Sequence, residues 1–170
     1  MDNMAFDRKT TWIDASQYWS VQGDQFIRLN IQMLMNAEQP LIAMEDEISG
    51  LLLAGKNDLR TSFLITQHGA CAAFWMLGLY EVLRLLRGIH GKRCEHFADV
   101  FRQASVMRMP LAKHEVISAP NFRNVQHYPT SIWCAETGKV GWRAFEPETG
   151  KMIEVYRIDL ADQFLAITPA

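Results

Sequence analysis

Two side chains in this sequence are spaced for phosphodiester chemistry: Arg108 and His114, separated by the five residues Met-Pro-Leu-Ala-Lys. Histidine moves a proton near neutral pH, which is what attack by a ribose 2′-hydroxyl requires. A neighbouring guanidinium would stabilise the charge that develops on the phosphate. The pair Arg84 and His90 has the same gap, and Arg123-Asn124 precedes His127 by a slightly shorter one.

A second group, Tyr80, Glu81, Arg84 and Arg87, stands at the polar end of a long apolar stretch. Glu81 and Arg84 are three apart and within reach of each other on a helix. If this end lines a cleft, the group would hold a ligand carrying a carboxylate or phosphate. His68 and Cys71 lie one turn apart, and His90, Cys94, Glu95 and His96 cluster further on. None of these follows the tight paired spacing of a zinc site, and the Glu-x-x-His of di-iron bundles is absent, so no metal or other cofactor is expected. His68 is expected to make a hydrogen bond within the core instead. No nucleophile elbow, P-loop or dinucleotide fingerprint occurs. Glu45, Asp46 and Glu47 read as the exposed first turn of a helix.

The spacing of Arg108 and His114 resembles the arginine–histidine motif of HEPN domains, which are small helical bundles. The resemblance covers the helical part of the chain. It implies a metal-independent ribonuclease or an RNA-binding domain, with Arg108 and His114 beside the RNA backbone. The HEPN architecture does not account for the strands expected near the C-terminus.

These residues must be positioned by the elements around them. Residues 1–11 carry no period and are expected to fray, and Asp14 and Asp24 are candidate helix caps. Phe26, Ile27, Ile31, Leu34 and Met35 recur at three and four, the spacing of an amphipathic helix. Pro40 is expected to end that helix, and a shorter one follows over 41–54 with Gly55 as its C-cap. Asn57 or Asp58 then caps a long helix over about 58–88, apolar nearly all round and read as the solvent-shielded centre of a bundle. A further helix is expected over 93–107, stopped or kinked by Pro110. The tetrapeptide Glu-Thr-Gly-Lys occurs twice, at 136–139 and 148–151. Each copy separates β-prone runs and suits a hairpin turn with glycine in the left-handed region. Three strands follow, 131–135, 140–146 and 152–158, and then a short helix over 160–167 capped by Asp159.

The fold class is therefore mainly α (α+β): a helical bundle around a long apolar central helix, closed by a C-terminal three-stranded antiparallel β-meander. Residues 1–170 read as a single domain, with the bundle over 14–115, the meander over 130–158 and the terminal helix over 159–167. With 49% hydrophobic and 21% charged residues the chain can fold as a globule without staples. A net charge of −2 gives no global field for nucleic acid. Three cysteines in unpaired number, with no apolar leader before them, read as buried reduced thiols in a cytoplasmic protein. Nine Phe and nine Met fit a well-filled core or an apolar contact surface, and composition does not separate the two. The central stretch has the length of a bilayer span, but Gln67, His68, Glu81 and Arg84 interrupt it, so no membrane is expected. The expected function is that of a small interaction or regulatory module acting by binding, to a protein partner or to itself. The alternative is a HEPN-like ribonuclease or RNA-binding domain.

Overall fold

The computed structural model describes residues 2–20, 25–90, 97–113 and 129–167. Five helices and three strands follow in the order α1 (Asp2–Trp19), α2 (Gln25–Leu53), α3 (Leu59–His90), α4 (Ala98–Lys113), β1 (Thr130–Trp133), β2 (Val140–Glu146), β3 (Lys151–Tyr156) and α5 (Arg157–Ala166). Helices α1 to α4 pack as neighbours in chain order. Helix α5 bridges α1 and α4, and the sheet lies against α2 and α4.

The N-terminal residues are helical from Asp2, not frayed, and Asp14 lies inside α1 rather than capping it. Trp12, Ala15 and Trp19 recur at three and four and are buried, which anchors the helix to the core. Asp24 lies outside the described residues. Pro40 does not end a helix either: α2 runs through it for 29 residues. A proline inside a helix removes one hydrogen bond, at a cost of about 3 kcal/mol. Burial of Ile27, Ile31, Leu34, Leu41 and Ile48 along one face outweighs this.

The end of α2 behaves as its glycine requires. Gly55 sits at φ 70°, where other residues are strained. Its N–H donates to the Leu52 carbonyl at 3.0 Å, and the Lys56 N–H donates to Leu51 at 2.9 Å, the paired bonds of a Schellman motif. Asp58 then caps α3, its Oδ1 accepting the Thr61 N–H at 2.9 Å.

Helix α3 is central but not shielded all round. Ala72, Trp75, Met76, Leu79, Val82, Leu83 and Leu86 are buried, whereas Phe63 and Phe74 stand 69% and 76% exposed. Cys71 is exposed rather than buried, and Cys134 is half-buried; Cys94 lies outside the described residues. By length and composition α3 is long and apolar enough to cross a membrane, and 39% of its most apolar window is buried. Helix α4 passes through Pro110 without stopping, and Phe97, Val100, Ala104 and Met107 face the core.

The meander pairs antiparallel in the order β1-β2-β3, with Trp133 opposite Val140 and Glu146 opposite Lys151. Both Glu-Thr-Gly-Lys copies form its turns. Gly138 and Gly150 take φ 70° and 68°, and their N–H groups donate to Cys134 and Glu146. On β2 the face carrying Trp142 and Ala144 joins the core, while Arg143 points to solvent. Strand β3 ends two residues early because Arg157 already begins α5. Asp159 lies in the first turn of that helix rather than capping it, and pairs with Lys139 at 2.6 Å.

Candidate functional site

The sequence-predicted site residues on α3 and α4 do meet. Tyr80 stacks on Phe101 with ring centroids 5.3 Å apart. Arg108 lies over the Tyr80 ring at 4.9 Å, and Arg87 over the Phe101 ring at 4.2 Å. Arg84 donates through Nε to Glu81 Oε2 at 2.7 Å, and Arg108 Nε approaches Glu81 Oε1 at 4.0 Å. Guanidinium groups laid on aromatic faces gain from the ring quadrupole. Three arginines against one carboxylate give this ledge a local excess of positive charge. His114, the intended partner of Arg108, lies outside the described residues, as do Arg123, Asn124 and His127.

A second constellation was not visible in the sequence reading. Glu38 and Glu45 lie two helical turns apart on the core face of α2, and both are buried. The fully buried Arg157 of α5 spans them. Its Nε and Nη2 donate to the two oxygens of Glu45, each at 2.7 Å, and its Nη1 donates to Glu38 at 3.0 Å. Arg8 of α1 grips Glu38 with two further bonds at 2.9 and 2.7 Å, and the Trp12 indole N–H adds a third at 2.6 Å. His68 Nε2 stands 3.0 Å from Glu45 Oε1. That oxygen belongs to an ionised acceptor, so Nε2 carries the proton.

Two buried carboxylates thus face two guanidiniums, and Arg8 also donates to the exposed Asp162 at 2.6 Å. Burial alone would raise the Glu45 carboxyl, but the bonds from Arg157 and His68 outweigh it and hold the group below its ordinary range. Burial likewise works against the charge on Arg8, and the bonds to Glu38 and Asp162 overcome it. Every oxygen of the two glutamates already accepts at least one bond from within the cluster. The cluster ties α1, α2, α3 and α5 together. The expectation that Glu45 lies in an exposed first turn fails, because α2 does not restart at Pro40. The expectation that His68 finds a partner inside the core holds.

A cleft of about 280 Å³ opens beside this cluster between α1 and α2, with Trp12, Met35 and Ile42 in its lining and Lys9 and Asp46 among its charged groups. No group of three His, Cys, Asp or Glu side chains suited to a metal ion occurs among the described residues. His68 and Cys71, one turn apart, diverge into core and solvent.

The third feature is a face. On α3, Phe63, Gln67, Ala70, Cys71 and Phe74 are all exposed. On α2, Phe26, Leu29 and Met33 recur at three and four and are exposed as well. The Leu34 carbonyl accepts the Trp75 indole N–H at 3.1 Å and Arg60 pairs with Glu47, so α2 runs antiparallel to α3 and its exposed group lies level with the Phe74 end of the α3 stripe. Apolar side chains gathered in this way exceed what scattered surface residues require. The sequence held the signal in its Phe and Met content but not the side of the helix on which it falls.

Comparison of the chain with protein-family models, with curated proteins and with solved structures finds no match.

Proposed function

We propose that this chain acts by binding, as a small cytoplasmic interaction or regulatory module whose outer α2–α3 face docks on a protein surface. The observation that carries the reading is the exposure of Phe63 and Phe74 on the same side of α3, with Phe26, Leu29 and Met33 exposed on α2 as well. Large apolar patches on folded domains mark interaction sites. A protein surface suits this face better than lipid. From Thr61 to Tyr80 the helix carries no Lys or Arg, and helices that lie on anionic membranes use such residues along their polar border.

Chemical cross-linking of the full chain in cells tests the reading. Wild-type protein gives defined cross-linked species, and the double variant Phe63→Ser/Phe74→Ser loses them while keeping its melting temperature, since both rings stand in solvent. An unchanged pattern in a folded double variant would overturn it.

A second reading, RNA binding or cleavage through Arg108 and His114, is favoured by one observation: Arg84, Arg87 and Arg108 share a single ledge. Incubation with labelled RNA in EDTA decides it. Binding or cleavage that weakens at least tenfold in Arg108→Ala supports this reading, and the absence of both removes it.

A further inference from the structure

The outer stripe of α3, exposed from Arg60 to Phe74 and half-buried at Leu77 and Glu81, has an order that identifies what it fits. Arg60, Phe63, Gln67, Ala70, Phe74, Leu77 and Glu81 recur at alternating steps of three and four. This is the seam spacing of two helices packed along their length. The stripe begins at Arg60 and ends at Glu81, and between them the sequence has no Asp, Glu, Lys or Arg; His68 faces the core. Its middle, midway between Arg60 and Glu81, is the small pair Ala70 and Cys71.

We infer that the partner of this face is a second copy of the chain, docked antiparallel through α3 about a two-fold axis between Ala70 and Cys71. This inference rests on the reading of the face as a docking surface and adds the identity of the partner. A two-fold contact is isologous, so the stripe must complement itself, and it does. With the axis at that point, Arg60 of one copy falls level with Glu81 of the other, at both ends of the seam. Phe74 falls level with Gln67, and Phe63 falls level with Leu77 and Gly78. Ala70 of each copy falls level with Cys71 of the other, where their size lets the helices approach closely. A parallel arrangement would instead set Arg60 against Arg60 and Glu81 against Glu81.

The charged ends can accept the second copy. In the single chain Arg60 is held by Glu47 and Glu81 by Arg84, each at 2.7 Å and each largely in solvent. Exposed pairs of this kind contribute about 0–1 kcal/mol, so they exchange or share partners readily. The seam from Arg60 to Glu81 is about 32 Å long at 1.5 Å per residue. With α2 alongside, the face measures on the order of 600 Å² in projection, close to the roughly 800 Å² per partner of a stable interface.

Light scattering on the purified full chain tests the inference, with a charge exchange to fix the geometry. Wild type is expected to run at twice the 19.5 kDa chain mass. Arg60→Glu and Glu81→Arg are each expected to weaken the dimer about tenfold. The double variant Arg60→Glu/Glu81→Arg restores it, because the two ends then carry exchanged signs. Circular dichroism confirms that each variant is folded. A dimer that ignores both single changes, or that the double change does not rescue, contradicts this geometry. A wild-type monomer contradicts the inference outright. If that monomer still loses its cellular cross-links in Phe63→Ser/Phe74→Ser, the docking face stands with a different protein as partner. Flotation of the monomer with anionic phosphatidylserine vesicles, lost in the same variant, assigns the face to lipid and overturns both.

Discussion

Arg157 and Glu45, 112 residues apart in sequence, meet in a two-pronged bond in which Nε and Nη2 each reach a separate carboxylate oxygen at 2.7 Å. The guanidinium also lies over Trp75 at 5.4 Å and is fully buried. Such a pair is weak ground for claiming stability against an apolar replacement, but removing one partner leaves the other charged and dry. Arg157→Leu is therefore expected to cost about 3–5 kcal/mol, lowering the melting temperature by on the order of 10 °C. Arg157→Leu/Glu45→Leu recovers part of the loss, since the stranded charge is gone. Thermal unfolding of the single and double variants checks this, and a double variant no better than the single would contradict it.

The same cluster sets a pH dependence. The Glu45 carboxyl is held below its ordinary value of 4.5, against the opposing effect of burial, by Arg157 and His68. Glu146 is lowered as well, first by the Thr149 hydroxyl, which donates to it at 2.6 Å, and also by Arg102. A depressed folded-state value contributes stability that is complete above 4.5 and is lost as pH falls through the lower value. The melting temperature is expected to hold between pH 7 and 5 and to drop below about 4.5. Glu45→Gln flattens that drop, which a pH series of melting curves would reveal.

Two left-handed glycines, Gly138 and Gly55, differ in how much room they leave. Both sit at φ 70°, so alanine at either is expected to cost about 1 kcal/mol. A Cβ at Gly138 would also come within 2.8 Å of Ser49 Oγ, whereas nothing lies within 4 Å of one at Gly55. Gly138→Ala is therefore the more harmful change, and Gly138→Ala/Ser49→Gly narrows the difference. Urea unfolding of the three proteins measures it.

Pro40 offers the reverse test. It stands exposed in the interior of α2 and interrupts the hydrogen-bond ladder there. Pro40→Ala is expected to stabilise the protein, by about 1–3 kcal/mol, with a raised melting temperature as the readout. A lowered one would mean that the proline shapes α2 so that Glu38 and Glu45 reach Arg157.

Much of the fold was legible because its signals are local. Gly55 and Asp58 marked the α2–α3 boundary, and the repeated Glu-Thr-Gly-Lys marked both turns. His68 announced a core hydrogen bond by its place in an apolar helix. The error over the buried cluster has one cause. Reading Pro40 as a stop broke the period of α2, so Glu45 fell into an imagined exposed turn. Kept intact, that period sets Glu38 and Glu45 in phase with Ile31, Leu34, Leu41 and Ile48, and acidic residues in core phase demand buried cations. Those cations, Arg8 and Arg157, come from the two ends of the chain, and no local spacing points to them. Phe63 and Phe74 escaped for a different reason: a helix apolar on every side does not declare which side the bundle leaves uncovered.

Thiol cross-linking at Cys71 probes the paired α3 helices most directly, because its side chain is exposed and borders the axis. With Cys94 and Cys134 changed to serine, a short bis-maleimide should join two chains through Cys71 in high yield. The same reagent should fail at a cysteine placed at Ser62, which lies far from the axis. Equal yields at both positions, or none at Cys71, would contradict the antiparallel pairing of α3.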